Sequence, residues 1–233
     1  MAKRNRKQTS KQQQLIANNN SNKEGNTNTK ANDTQTGKLD TRHTIGEPIF
    51  FFKDDEVPYG FLCQRYRCRF TDPDSGLEFS SAEQWMMWNK AQLAGDEASA
   101  KTIMSTTSPR KQKQLGRDVS NFDVQAWDKI MLRVVEQGNY LKFTQGSNLV
   151  SMKMDDEGEP VSLKSLLLAT EERELVEASR FDRVWGIGFD SRQALVTPRE
   201  KWGQSLLGTA LMNVREKIRW EEEDEKGQVD KRI

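Results

Sequence analysis

Residues 80–95 read SSAEQWMMWNKAQLAG. A Ser-x-x-Glu start, apolar residues at helical spacing and a closing glycine predict a capped amphipathic helix over 80–94. Ser80 is the expected N-cap. It would accept from the Glu83 amide while the Glu83 carboxylate returns to the Ser80 amide. Glu83 and Lys90 stand seven residues apart. At 3.6 residues per turn they project from one face, about 10 Å apart along the axis, and both can reach a point between them. Trp85 and Trp88 lie off that line. Core packing is the ordinary use of such rings, but one could flank a planar ligand.

Working outward, PIFFFK at 48–53 predicts a strand, and RCRFT and LEFS around TDPDSG predict a hairpin. Downstream, the pattern turns helical. DEASAKTIMST gives a short helix closed by Ser108-Pro109, and PRKQKQLG gives another, with Pro109 in its first turn and Gly116 as its stop. The segment 123–145 places Trp127, Ile130, Met131, Val134 and Val135 at helical spacing and is expected to be the longest helix, weakened in its middle by Gly138. SMKMDDEGEP at 151–160 looks like an acidic surface insert. SLKSLLLAT is a short helix, LVEAS is strand-like, and FDRVWGIGFD is irregular. QSLLGTALMNVREKIRW puts Leu207, Ala210, Leu211, Val214 and Ile218 on one side of a terminal helix, with a frayed tail after Trp220. The expected class is mainly α with a few short strands near the N-terminus, an α+β domain over 44–220 and a charged tail over 221–233. No glycine fingerprint follows a strand in a βαβ unit, so a dinucleotide site of that kind is disfavoured.

Charge is balanced overall at +1, but residues 1–43 hold nine Lys/Arg against three Asp/Glu. This Lys-, Gln- and Asn-rich stretch has little to bury and predicts a disordered basic tail, with KRNRK as a possible nuclear address or nucleic-acid contact. No run of 18 apolar residues exists, and no apolar core follows the basic N-terminus. Intracellular residence, cytoplasmic or nuclear, is expected, with no membrane partner and a monomeric state. The two cysteines, Cys63 and Cys68, suggest reduced thiols. With His43 the one histidine, no metal constellation appears and no cofactor is expected.

SSAEQWMMWNKA resembles the signature helix of the NADAR, or YbiA-like, N-glycosidase family. YGFLCQRY, SPRKQKQLGRDV, LKFTQ, LLLAT, LVEAS, FDRVWGIG and WGQSLLGTALMNVRE are similar to further family elements, in order, over roughly 48–217. Three departures stand out: Cys63 where the family has Ser, Arg65 where it often has an aromatic residue, and Ser205 where it has Asn.

The resemblance implies a mainly helical fold and cleavage of an N-glycosidic bond to ribose. Glu83 would stabilise oxocarbenium character, and Lys90, unprotonated, would form a Schiff base with the opened sugar. Asp182 would position ribose hydroxyls or move a proton. Arg117, Lys142 and Ser108 are expected on phosphates, Trp85 and Trp127 among the substrate-binding residues, and Trp185 and Gly186 as pocket walls. The implied substrate is ADP-ribose on guanine in nucleic acid or nucleotide. The alternatives are a ribosylamino-pyrimidine intermediate of riboflavin synthesis, or non-catalytic binding of ADP-ribose or NAD.

Overall fold

A computed structural model describes residues 46–148 and 161–230. The basic segment 1–43 and the acidic insert 151–160 lie outside the described residues. Among the described residues, seven α-helices and five short strands follow in the order β1 (Ile49–Phe51), β2 (Cys68–Thr71), β3 (Glu78–Phe79), α1 (Ala82–Leu93), α2 (Glu97–Met104), α3 (Pro109–Arg117), α4 (Val124–Gln145), β4 (Ser147–Asn148), α5 (Leu163–Leu168), β5 (Leu175–Glu177), α6 (Ser191–Val196) and α7 (Leu206–Asp230). The α+β class read from the sequence is the one observed.

Helix α1 sits at the centre, against α2, α3 and α4. Its start is one residue later than the Ser-x-x-Glu pattern suggests. Ser81 is the N-cap, and its hydroxyl accepts from the Gln84 amide at 3.1 Å. The Gln84 Oε1 accepts from the Ser80 amide at 2.7 Å, while the Glu83 amide donates to the Gln64 carbonyl at 2.9 Å. Glu83 therefore has no capping duty. Gln84 Nε2 donates to the carbonyls of Ile103 and Thr106, and Gln112 Nε2 donates to Thr106 as well. These buried amides knot α1 to α2 and α3, because a buried polar group left unpaired is costly.

Two glycines expected to weaken or stop helices instead let helices approach. Gly116 lies inside α3, where an added Cβ would come 2.0 Å from the Met87 sulfur. At Gly138, in α4, an added Cβ would come 2.3 Å from Trp85 Cδ1. The indole lies across α4 there and donates from Nε1 to the Val134 carbonyl at 2.7 Å.

β1 and β5 pair in parallel, with Ile49 beside Leu175 and Phe51 beside Glu177. β2 pairs antiparallel with β3, as the TDPDSG turn predicts, and on its other edge with β4. The expected inward side of α7, with Leu207, Ala210, Leu211, Val214 and Ile218, is buried. α7 continues ten residues past Trp220, to Asp230, where the sequence suggests fraying, and at 25 residues it exceeds the 22 of α4.

Candidate active site

One face of α1 carries Glu83, Met86, Met87 and Lys90, the i, i+3, i+4, i+7 stripe of a helix. All four line a cavity of about 540 Å³, a size suited to a small organic ligand. The opposite side of α1, with Ala82, Trp85 and Ala91, is packed into the core. The cavity is closed by Lys113 and Arg117, one turn apart on α3, by Cys63, Gln64 and Arg65 ahead of β2, and by Phe52 after β1. The last wall is the end of β5 and the turn beyond it, with Glu177, Ser179, Phe181, Asp182 and Trp185. Four cations (Arg65, Lys90, Lys113, Arg117) thus face three carboxylates (Glu83, Glu177, Asp182).

Glu83 is only 5% exposed, yet its carboxylate makes no hydrogen bond or ion pair with any described residue. Burial raises its pKa, and the charges of Lys113, Arg65, Lys90 and Arg117 oppose that rise. Lys90 is half-buried. Its ammonium donates to the Gly116 carbonyl at 3.0 Å and lies 4.3 Å from the centre of the Phe122 ring and 5.9 Å from that of Trp127. Desolvation lowers its pKa. Glu83 pulls the other way, while Arg117 and Lys113 add to the lowering. A lysine so placed has a larger unprotonated fraction than one in water.

Asp182 Oδ1 accepts from the amides of Val184 and Trp185 at 2.9 and 2.8 Å, so one oxygen ties the turn that delivers Trp185 to the cavity. Arg117 has no carboxylate within ion-pair distance among the described residues, and neighbouring Asp118 accepts from Gln114 instead. Glu83, Lys90, Asp182, Arg117 and Trp185 therefore share one space. Five other sequence-named residues are not on its wall. Trp85 is core, stacked edge-on to Phe79. Ser108 caps α3. Trp127 is buried behind Lys90, beside Phe122. Lys142 is fully buried, donating to the Cys63 carbonyl at 2.9 Å. Gly186 lies behind the wall, where an added Cβ would come 2.9 Å from the Glu177 carbonyl oxygen.

Sequence reasoning missed Glu177 and Lys113 as wall residues. A glutamate inside the apolar run LVEAS was the available signal, since a charge in a buried strand needs a reason. Cys63 and Cys68 are free thiols, both buried, and burial raises the pKa of each. Among the described residues, no group of His, Cys, Asp or Glu side chains could hold a metal ion, and no helix is long and apolar enough to cross a membrane.

The NADAR domain model matches residues 50–219, which include the whole cavity wall. The chain belongs to the NADAR family. A relative from Acanthamoeba polyphaga mimivirus, named an N-glycosidase, is 42% identical over 72% of this chain and 94% of its own. A Vibrio vulnificus protein named for riboflavin biosynthesis is 29% identical over 77% of this chain but only 41% of its own length. The NMR structure of Escherichia coli YbiA shares the fold, with a TM-score of 0.58 at 23% identity, covering 78% of this chain and 92% of that one.

Proposed function

We propose that this NADAR domain is an N-glycosidase that removes ADP-ribose from guanine, with Glu83 and Lys90 at the reacting sugar. The observation that carries this reading is the pairing of a buried, unpartnered carboxylate with a partly dehydrated amine on one helix face, open to the same cavity. The name of the mimiviral relative supports the reaction class. As the C1′–N bond lengthens, positive charge grows on the ribose, and a carboxylate beside it stabilises that charge. The unprotonated Lys90 bonds to C1′ as the base leaves, one of its N–H protons passes to the ring oxygen as the sugar opens to a protonated imine, and water hydrolyses that imine to the sugar aldehyde and free Lys90. Phe122 and the Gly116 carbonyl fix the amine's direction. Asp182 meets the ribose hydroxyls through the oxygen not used by its turn.

Arg65, ahead of β2, and Lys113 and Arg117, on α3, line the same cavity, and three cations suit a diphosphate better than a single phosphate. This favours ADP-ribose over the smaller ribosylamino-pyrimidine phosphate that the name of the Vibrio relative brings into view. The basic N-terminal segment would add salt-sensitive attraction to nucleic acid.

The test is release of ADP-ribose from ADP-ribosylated guanine in a short single-stranded DNA. Wild type should release it, and Lys90→Ala and Glu83→Gln should each lose roughly 10²-fold or more. Release from a ribosylamino-pyrimidine alone would move the assignment to that substrate. Binding of ADP-ribose without any cleavage would leave a binding module.

A further inference from the structure

The cavity holds a carboxyl group that the Glu83–Lys90 pair leaves unused. Glu177 ends β5, directly after Leu175 and Val176, which are 1% and 0% exposed. Its backbone is held from both sides. The next residue, Ala178, donates to the Phe51 carbonyl at 2.8 Å, and the Ile187 amide donates to the Glu177 carbonyl at 3.1 Å. Gly186 brings the following turn against that carbonyl so closely that a Cβ would not fit. The side chain meets the cavity with no hydrogen bond or ion pair to any described residue. A carboxyl in that state costs stability if ionised, and a rigid frame points it at the space where a ligand would lie.

The charged groups facing it come from every wall. They are Asp182 from its own turn, Lys113 from α3, Glu83 from α1, and Arg65 from the segment before β2, with the Cys63 thiol beside them. Among these charges Asp182 acts most strongly, and it repels a second negative charge. Burial first and Asp182 second push the Glu177 carboxyl up to about 7. At Glu83 burial also raises the pKa, and the charges of Lys113, Arg65, Lys90 and Arg117 oppose that rise. Glu177, with Asp182 as its strongest charged neighbour, is the carboxyl of this cavity placed to hold a proton.

We infer that Glu177 is the general acid of this site, delivering its proton from the end of β5 to the nitrogen of the departing base. The inference rests on the N-glycosidase reading above. In the step, the C1′–N bond breaks and its electron pair goes to the base nitrogen. That nitrogen takes the Glu177 proton, so the base leaves neutral and Glu177 becomes a carboxylate. Water supplies the oxygen that ends on C1′, and the proton it releases restores Glu177. The sum is one N-glycoside and one water in, one free base and one sugar out. Without the acid a purine must leave as an anion, and general-acid assistance is worth roughly 10²–10⁴-fold.

The experiment is kcat and KM against pH for the full chain on the ADP-ribosylated guanine oligonucleotide, for wild type, Glu177→Gln and Glu177→Asp. A parallel 13C NMR titration of glutamate-labelled protein identifies the Glu177 carboxyl by its absence from Glu177→Gln. Expected are a roughly 10²–10⁴-fold loss of kcat in Glu177→Gln with KM little changed, and loss of the decline in rate at high pH. Glu177→Asp, which keeps an acid on a shorter arm, should retain part of the rate and the decline. The wild-type carboxyl should titrate near neutrality. Active wild type with a Glu177→Gln variant of equal rate and unchanged pH profile would overturn the acid assignment and leave the glycosidase reading standing. Wild type that cleaves no N-glycoside would overturn both.

Discussion

Two lysines of this NADAR domain are stripped of water on neighbouring helices, and they end in different kinds of place. Lys90 on α1 is half-buried and opens to the cavity. Lys142 on α4 is 0% exposed and opens to nothing. Its ammonium donates to the Cys63 carbonyl and lies 4.9 Å from the centre of the Phe143 ring, and no carboxylate of a described residue pairs with it. Desolvation lowers the pKa of both, that of Lys142 to about 8. A lowered pKa alone therefore does not mark a nucleophile. Lys90 faces a space that admits a substrate, while Lys142 holds the backbone of the segment that carries Cys63, Gln64 and Arg65 into the wall.

The sharpest way to break this contrast is to exchange the loss of each amine. Lys90→Ala should lose roughly 10²-fold or more in kcat, as expected for a nucleophile. It should also lose the covalent adduct that borohydride leaves on wild type with ADP-ribose, read by mass spectrometry. Lys142→Met should keep the adduct and activity within about tenfold. Equal losses in the two variants would erase the distinction.

A smaller effect separates Lys142 by stability. Its folded-state pKa of about 8 lies below the ordinary lysine value of 10.5. Between those values the folded state binds fewer protons than the unfolded one, so stability rises as pH rises from about 8 to about 10.5. The gain is at most roughly 3 kcal/mol. Urea denaturation at pH 7.5 and 10 should show that rise in wild type, and Lys142→Met should flatten it.

Glu177 has the opposite sign. Its folded pKa of about 7 lies above the ordinary 4.5, so the folded state binds more protons in that window and stability falls as pH rises through it. Glu177→Gln should remove this fall. It should melt above wild type at pH 8 by a few degrees, with the gap closing towards pH 5. A variant that melts below wild type at pH 8 would make the carboxylate a stabilising group rather than a strained one.

How much of this was readable beforehand varied by element. The inner stripes of α4 and α7 and the 83–90 pair on α1 were legible, because helical periodicity is written into neighbouring residues. The TDPDSG hairpin was legible through its turn residues. The β1–β5 pairing was not, since its strands are three residues each and lie more than a hundred residues apart. Lys142 and Trp85 carried the residue types of a binding site, and packing turned both inward. Gly116 and Gly138 read as breaks because propensity is local, and the neighbours that require them, Met87 and Trp85, come from another helix. Ser80 and Glu83 matched a capping pattern that Ser81 and Gln84 took over, because Gln84 also reaches the carbonyls of Ile103 and Thr106.

The sequence by itself determined the helical class, the order of elements, the family resemblance and the common face of Glu83 and Lys90, all properties of local spacing. The tertiary structure alone decided which charges share a cavity. It set Glu177 beside Asp182, Glu83 among cations and Lys142 behind the wall, because burial and Coulomb interaction depend on distances that only packing fixes.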